Sequence, residues 1–422
     1  MFWIPWLYGR VLCRAYYRIE VVGGSVPESG PLLVVTNHQN GLVDGGMLFV
    51  STSRQLRIVI KSTIFRMPLV GQLARWGGCV PVYRREDKAD TSRNEDSFRA
   101  VHEALREGSA ISIFPEGTSK DPRPSLRTFK TGSARMALGA EDHDPRPGLR
   151  ILPVGLLYED RDRFRSRVDV WIGEPRPVDH HLELYRSDPM AAIEALTAEL
   201  AEQLREVTLE LEHFEDRRAL DAAERLWPGD EEETTRRLQR LARGLRWFRE
   251  RRPNEARALV EALDAISRAP GTKAGTGRIA GLLGATGWAL ALTVSVLAWL
   301  PVLIPLQLIA RLARPSPDKF VTMVLVFSSV LVPLWFLIVS ILTFLDGGAT
   351  AMLTAQAVLA STVLAAPAIW DRQSQARRAW RAAIAPSSFA SLDRLENEVK
   401  DRLRPLARLA DRLERRDPSP SS

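Results

Sequence analysis

Cysteine is nearly absent from this sequence, with only Cys13 and Cys79 in 422 residues. One lies in an amphipathic N-terminal stretch and one in a strand-like stretch, so no disulfide framework is implied and a reducing, cytosolic setting is the default. A Gly-x-Ser-x-Gly elbow and a suitably flanked cysteine are both missing, which argues against a serine or cysteine hydrolase. The six histidines are scattered and the His180-His181 pair lacks helical ligand spacing, so no metal site is expected. Finger spacing, an aromatic-rich RNA-binding signature and a compact Lys/Arg block are lacking too, so nucleic acid is not an expected partner. The N-terminus has no long apolar core with a small-residue cleavage site and does not read as a secretory signal.

What is present is charge of both signs: 58 basic against 51 acidic residues, net +7. The modest excess favours an anionic surface or substrate, and acidic lipid headgroups fit it better than nucleic acid. The length allows two or three structural units. Residues 1–20 carry Trp3, Trp6, Tyr8, Tyr16 and Tyr17 among Arg10 and Arg14, the pattern of an amphipathic segment lying in a membrane interface. The other reading of the same pattern is a first helix packed on the domain.

Residues 21–187 alternate short apolar runs with helical patterns. The runs LLVVT (32–36), LRIVIK (56–61), AISIF (110–114), ILPVGLLY (151–158) and VDVWIG (168–173) are too short for buried helices and predict strands. Residues 94–107 and 126–140 show three- and four-residue apolar spacing, so the expectation is an α/β domain with a largely parallel sheet flanked by helices. Residues 188–278 form a charged helical region interrupted by Pro228-Gly229 and Pro253, closing on a GTKAGTG linker at 271–277. Residues 279–370 are a membrane region: transmembrane helices over 320–344 and 349–370, and a segment at 279–310.

Basic residues flank this region at Lys273, Arg278, Arg311, Arg314, Lys319 and Arg372, whereas the Asp346-Gly347-Gly348 turn has none. The positive-inside rule puts the 311–319 loop and the C-terminus in the cytoplasm and the turn outside. A simple crossing by 279–310 would then move the α/β domain to the far side, so that segment is expected to be re-entrant or kinked at Pro301 and Pro305. Residues 371–422 read as a basic tail holding an amphipathic helix over 391–416.

Chemistry concentrates at two predicted strand ends, where ligands gather in open α/β sheets. In TNHQNGLVDGG, His38 follows a strand and Asp44 comes six positions later. A turn into a helix would bring the carboxylate to one ring nitrogen, fixing the tautomer and leaving the other nitrogen to take a proton from a hydroxyl. The bland reading is a strand-exit histidine with satisfied hydrogen bonds. In IFPEGTSKD, Glu116 is placed to orient a substrate hydroxyl, Gly117 lets backbone approach a ligand, and Thr118 offers a hydroxyl, although this is also ordinary turn composition. Arg84 as a fork and Lys130 as a point charge would hold a phosphate; solvated surface cations are the commoner reading.

Taken in order, these stretches resemble the glycerolipid acyltransferase superfamily of glycerol-3-phosphate and 1-acylglycerol-3-phosphate acyltransferases. The match is carried by Asn37-His38 with Asp44, Gly78 to Arg84, Phe114 to Thr118 with Phe129 to Gly132, and Leu152-Pro153-Val154, over about 21–187. The resemblance implies that His38 is the general base and Asp44 its orienting partner. Asn37, Arg84, Glu116, Gly117, Thr118 and Lys130 would then bind the acceptor, with Arg84 and Lys130 on its phosphate.

The common pattern has four residues between His and Asp; here there are five, Gln39 to Val43, a form shared by a subgroup of glycerol-3-phosphate and dual-substrate enzymes. The implied protein is an integral protein of the cytoplasmic membrane with its catalytic domain on the cytoplasmic side. It would work without a bound cofactor or metal, taking acyl-CoA or acyl-carrier-protein as thioester donor and using backbone amides near the strand ends for the oxyanion. Its partners would be membrane lipids, the donor and a phosphate-bearing acceptor; oligomeric state is not readable. Two other readings stand beside it: acylation of a lysophospholipid or amino-lipid, and a membrane scaffold that has lost catalysis.

Overall fold

The structure is a computed structural model that describes residues 2–84, 90–119, 123–143, 148–226, 234–268 and 278–384, with Asn397 and Val399. The chain divides into two units: Met1–Glu210 with Ser316–Thr322, and Leu211–Pro315 with Met323–Ser422.

The first unit is built on strands β1 (Arg18–Gly23), β2 (Leu32–Thr36), β3 (Leu56–Lys61), β4 (Val80–Val82), β5 (Ala110–Ile113), β6 (Arg150–Tyr158), β7 (Arg167–Ile172) and β8 (Arg176–Pro177). They form one sheet in the order β1-β7-β6-β2-β5-β3-β4, with β8 beside β6. All pairings are parallel except those of β6 with β7 and β8. The largely parallel α/β architecture is thus the one the apolar runs predict, and each of the five runs is a strand. Every residue of β2 is buried, the signature of a central strand covered on both faces.

Helices α1 (Trp3–Tyr16), α2 (Gly41–Ser51), α3 (Val70–Trp76), α4 (Asn94–Arg106), α5 (Gly132–His143), α6 (Leu182–Ser187) and α7 (Pro189–Arg205) complete this unit. Leu33 and Val35 of β2 pack with Val101 and Leu105 of α4, Ala134 and Leu138 of α5, and Ile193, Leu196 and Leu200 of α7. Because α7 supplies core, the α/β unit runs to Glu210 and not to 187. Asp188 caps α7 by accepting from Ala191 N (3.1 Å), and Pro189 opens it.

Helix α1 realises the packed alternative for the N-terminus. A Cβ on Gly46 would stand 2.6 Å from Cys13 Sγ, so glycine there lets α1 and α2 approach closely. Trp6 Nε1 also donates to Thr52 O (2.9 Å). The opposite side of α1 keeps Trp3, Leu7 and Val11 exposed at four-residue spacing.

In the second unit, α8 (Phe214–Leu226), α9 (Thr234–Arg251) and α10 (Pro253–Arg268) are the expected charged helices, joined by a small core of Ala219, Ala223, Phe248, Leu259 and Leu263 that also takes in Val399. Arg249 grips Asp216 through both terminal nitrogens (2.9 and 2.8 Å) and Glu212 (3.0 Å). Pro228-Gly229, the 271–277 linker and the tail beyond Ile384, Asn397 and Val399 excepted, lie outside the described residues.

The two long apolar helices are α11 (Arg278–Ala313) and α12 (Pro317–Ile384), whose first turn belongs to the first unit. Both contain candidate membrane spans, Thr286–Ala313 and Asp318–Arg372. Of the two forms expected for this segment, α11 runs through Pro301 and Pro305 as one helix, without a re-entrant turn there. Each proline removes one i to i−4 hydrogen bond, which a long helix survives where its neighbours pack against it. α12 breaks where the sequence predicts: Gly348, at φ 67° and ψ −161°, turns the chain. The indoles tie these helices together within the second unit: Trp288 to Ile369 O (2.7 Å), Trp299 to Thr362 Oγ1 (2.9 Å) and Trp335 to Ala298 O (3.1 Å).

Candidate active site

Parallel pairing of β2 with β5 brings the two chemistry-bearing loops to the same end of the sheet, since both strands end there. After Thr36 the chain turns through residues 37–40 and enters α2 at Gly41, a glycine at φ +51°. This turn folds Asp44 back onto the histidine: Asp44 Oδ2 lies 2.9 Å from His38 Nδ1. The same oxygen accepts the backbone N–H groups of Gln39 (2.8 Å) and Asn40 (2.7 Å), and Oδ1 accepts the hydroxyl of Tyr158 (2.6 Å).

Asp44 is fully buried, whereas the His38 side chain keeps 18% of its surface exposed. With Nδ1 held by a buried carboxylate, Nε2 is the ring nitrogen left open toward a ligand. The ring is stacked on Phe114 at 4.2 Å and 26°.

The second loop is joined to the first by a bond from His38 N to Glu116 Oε1 (2.8 Å), and again by Gln39 Nε2, which donates to Pro124 O (2.6 Å). Burial pushes the Glu116 carboxyl up to about 8, against the opposing pull of the His38 and Arg127 amides. Gly117 stands at φ +67°, and a Cβ there would meet Lys130 Cδ and Cε at 3.0 Å and Nζ at 3.2 Å. Lys130 N donates to Pro115 O (2.8 Å), fixing the residue beside that loop, and Arg84 Nη1 donates to Gly117 O. Two cations from separate parts of the chain therefore flank one glycine next to Glu116. Thr118 follows in the same loop, half-buried.

Asn37 departs from expectation. Its amide donates to Leu156 O (2.9 Å) and accepts from Leu156 N (2.7 Å), extending the β2–β6 pairing, and the residue is 1% exposed. Both ends of this side chain are engaged by β6, which fixes the start of the loop that carries His38.

Tyr158, which closes β6, has a role that spacing did not reveal; the clue in the sequence is a polar residue ending an otherwise apolar run. Burial and the neighbouring Asp44 carboxylate hold its phenol well above the ordinary range, so it stays a donor. Asn40 is a second such residue, donating to Tyr17 Oη (2.9 Å) and to Arg161 O (3.2 Å).

A third contact comes from far along the chain. Ser119 Oγ bonds Asp318 Oδ2 (2.9 Å), and a Cβ on Gly41 would come 2.6 Å from Asp318 O. The first turn of α12 thus touches both loops.

Residues 18–157 match a protein-family model described as Acyltransferase. The matched part of the chain holds the His38–Asp44 pair and the Glu116 loop.

Among characterised proteins, the chain is 36% identical over 140 residues to Glycerol-3-phosphate O-acyltransferase 2 of Saccharomyces cerevisiae, covering 33% of this chain and 19% of that one. It is 30% identical over 159 residues to the 1-acyl-sn-glycerol-3-phosphate acyltransferase of Borreliella burgdorferi, covering 37% of this chain and 58% of that one. The chain therefore spans less than two thirds of either relative. A solved structure, the 1-acyl-sn-glycerophosphate acyltransferase PlsC of Thermotoga maritima, aligns over 48% of this chain and 79% of that one with a TM-score of 0.36 and 20% identity.

Proposed function

We propose that this protein transfers a fatty acyl group from a thioester donor to the hydroxyl of glycerol-3-phosphate or 1-acylglycerol-3-phosphate. One observation carries this reading: the His38–Asp44 pair is bonded through His38 N to the Glu116-Gly117 loop that Arg84 and Lys130 flank. A proton acceptor and two phosphate-binding cations then face one small acceptor molecule.

His38 Nε2 takes the hydroxyl proton as the oxygen attacks the thioester carbonyl; the C–O bond forms, the C–S bond breaks, and the imidazolium returns its proton to the departing thiolate. The imidazolium formed midway is stabilised by the buried Asp44 carboxylate at 2.9 Å. Glu116 keeps the His38 backbone in place and, with its carboxyl raised to about 8, adds little negative charge where a phosphate must enter.

The apolar α11 and α12 associate the protein with a membrane, and the first turn of α12 belongs to the catalytic unit. That turn adjoins the basic 311–319 loop, which supports a catalytic unit on the cytoplasmic side by the positive-inside rule. The exposed Trp3, Leu7 and Val11 face of α1 suits the same membrane's interface.

The test is purified protein assayed with acyl-CoA and acyl-carrier-protein against glycerol-3-phosphate and its monoacyl form. Turnover with at least one phosphate acceptor is expected, lowered by about 10²-fold or more in His38→Ala with the thermal transition intact. Unchanged turnover in that variant removes the base assignment, and turnover only with acceptors lacking a free phosphate removes the acceptor class.

A further inference from the structure

His180 and His181 occupy one 3-10 turn, Asp179–His181, just before α6, and Glu199 reaches them from the middle of α7. Both imidazoles aim Nε2 at a single carboxylate oxygen, Glu199 Oε2, at 3.0 and 2.7 Å, with their rings 4.2 Å apart. The three ligand-capable atoms all lie within 4.8 Å of one another. One turn further along α7, Gln203 Nε2 donates to Oε1 of the same carboxylate (2.8 Å), which keeps Oε2 turned toward the imidazoles.

We propose that His180, His181 and Glu199 form a binding site for a divalent transition-metal ion of the zinc class, tying the turn before α6 to α7. Two nitrogens and one carboxylate oxygen are a donor set that suits such an ion, whereas magnesium and calcium demand oxygen ligands. With bonds of about 2.1 Å and tetrahedral angles, ligand atoms stand roughly 3.4 Å apart. The observed 2.7 and 3.0 Å separations would thus open by only about half an ångström as the ion replaces the two ring protons.

The Gln203 bond is the outer-shell contact that holds a ligating carboxylate in one rotamer. His180 is 50% exposed, which gives an ion an entry path and leaves room for water as a further ligand. Sequence spacing concealed the site, because the third ligand sits 18 residues beyond His181 on another helix.

The experiment is calorimetric titration of Zn2+ into untagged full-length protein in detergent micelles at neutral pH, with Mg2+ titrated in parallel. One Zn2+ per chain is expected, with affinity lowered at least about tenfold in His181→Ala and in His180→Ala, and a thermal midpoint raised by Zn2+ only in the unsubstituted protein. The half-exposed His180 gives a variant that folds even where His181→Ala does not. Zn2+ binding that survives His180→Ala undiminished, or that is no tighter than Mg2+ binding, overturns the proposal and leaves a hydrogen-bonded cluster.

Discussion

Replacing Asp44 in two different ways separates what it does for the fold from what it does for chemistry. Its carboxylate, which has no solvent exposure of its own, accepts from His38 Nδ1, from the amides of Gln39 and Asn40, and from the Tyr158 hydroxyl. In Asp44→Ala the two amides and the phenol lose their acceptor where water cannot replace it. At about 1–3 kcal/mol for each orphaned donor, the cost is about 3–9 kcal/mol, comparable with the whole stability of a typical domain.

Asp44→Asn keeps an oxygen where the histidine and both amides converge, and its new NH2 faces the Tyr158 oxygen, which can accept. The fold should persist while the charge that steadies a protonated His38 is gone. We expect Asp44→Ala to lose cooperative thermal unfolding of the catalytic unit or at least about 3 kcal/mol of stability. Asp44→Asn should unfold as the native protein does with kcat lowered roughly 10²- to 10⁴-fold. Both readings come from thermal melts of detergent-solubilised protein alongside initial rates. An alanine variant within about 1 kcal/mol of native stability, or an asparagine variant at full activity, refutes the reasoning.

Two further outcomes follow from the same site. The Glu116 carboxyl, at about 8 in the folded protein against 4.5 unperturbed, keeps its proton in the folded state over a range where the unfolded chain releases it. Stability should therefore fall as pH rises from about 4.5 through about 8, by on the order of 5 kcal/mol for a difference of 3.5 units, and Glu116→Gln should flatten that part of the thermal stability profile; equal slopes count against it. In Gly41→Ala, a Cβ at φ +51° would also stand 2.6 Å from Asp318 O, whereas Gly30→Ala at φ +85° meets nothing within 4 Å. Both variants carry the cost of the left-handed conformation, about 1–2 kcal/mol, so a larger thermal destabilisation and a loss of activity confined to Gly41→Ala is expected, and equal effects dismiss the contact.

Much of this architecture is legible from residue pattern alone, for reasons that are local. β2, β3, β5, β6 and β7 are apolar runs because both faces of the sheet are covered, and the runs show through any tertiary detail. β1 is an edge strand with four of its six residues exposed and reads RIEVVG, so charge masks it; β4 is three residues long and β8 two. α5 begins at Gly132 instead of 126, because Lys130 N is taken by Pro115 O and the Phe129-Lys130 stretch is held as loop.

The histidine and carboxylate were visible as residue types at a suggestive spacing, but their contact depends on two amides and a phenol converging on Asp44, and Tyr158 lies 114 positions away. The same limit explains Asn37: beside a candidate base it invites a substrate role, and only its pairing with Leu156 shows that it belongs to the sheet.

The five-residue interval between His38 and Asp44 has a physical counterpart in the first turn of α12. With Asn40 tied to Tyr17 and Arg161, and Gly41 opening α2 in a left-handed conformation, the loop presents a bare α-carbon on its outer side. Asp318 uses that gap: its carbonyl oxygen sits where a side chain on Gly41 would be, while its own carboxylate, on a residue only 4% exposed, takes the Ser119 hydroxyl. Ser119 lies three residues beyond Glu116, and Glu116 holds the His38 amide. The first turn of an apolar helix, the Glu116 loop beside Arg84 and Lys130 and the loop that carries the proposed base therefore form one closed set of contacts. A displacement of Asp318 reaches His38 through either loop. Excess charge or bulk at position 41 or 318 should then act on catalysis without touching any atom that reacts, since the groups that set the imidazole's position are backbone amides whose placement the turn controls.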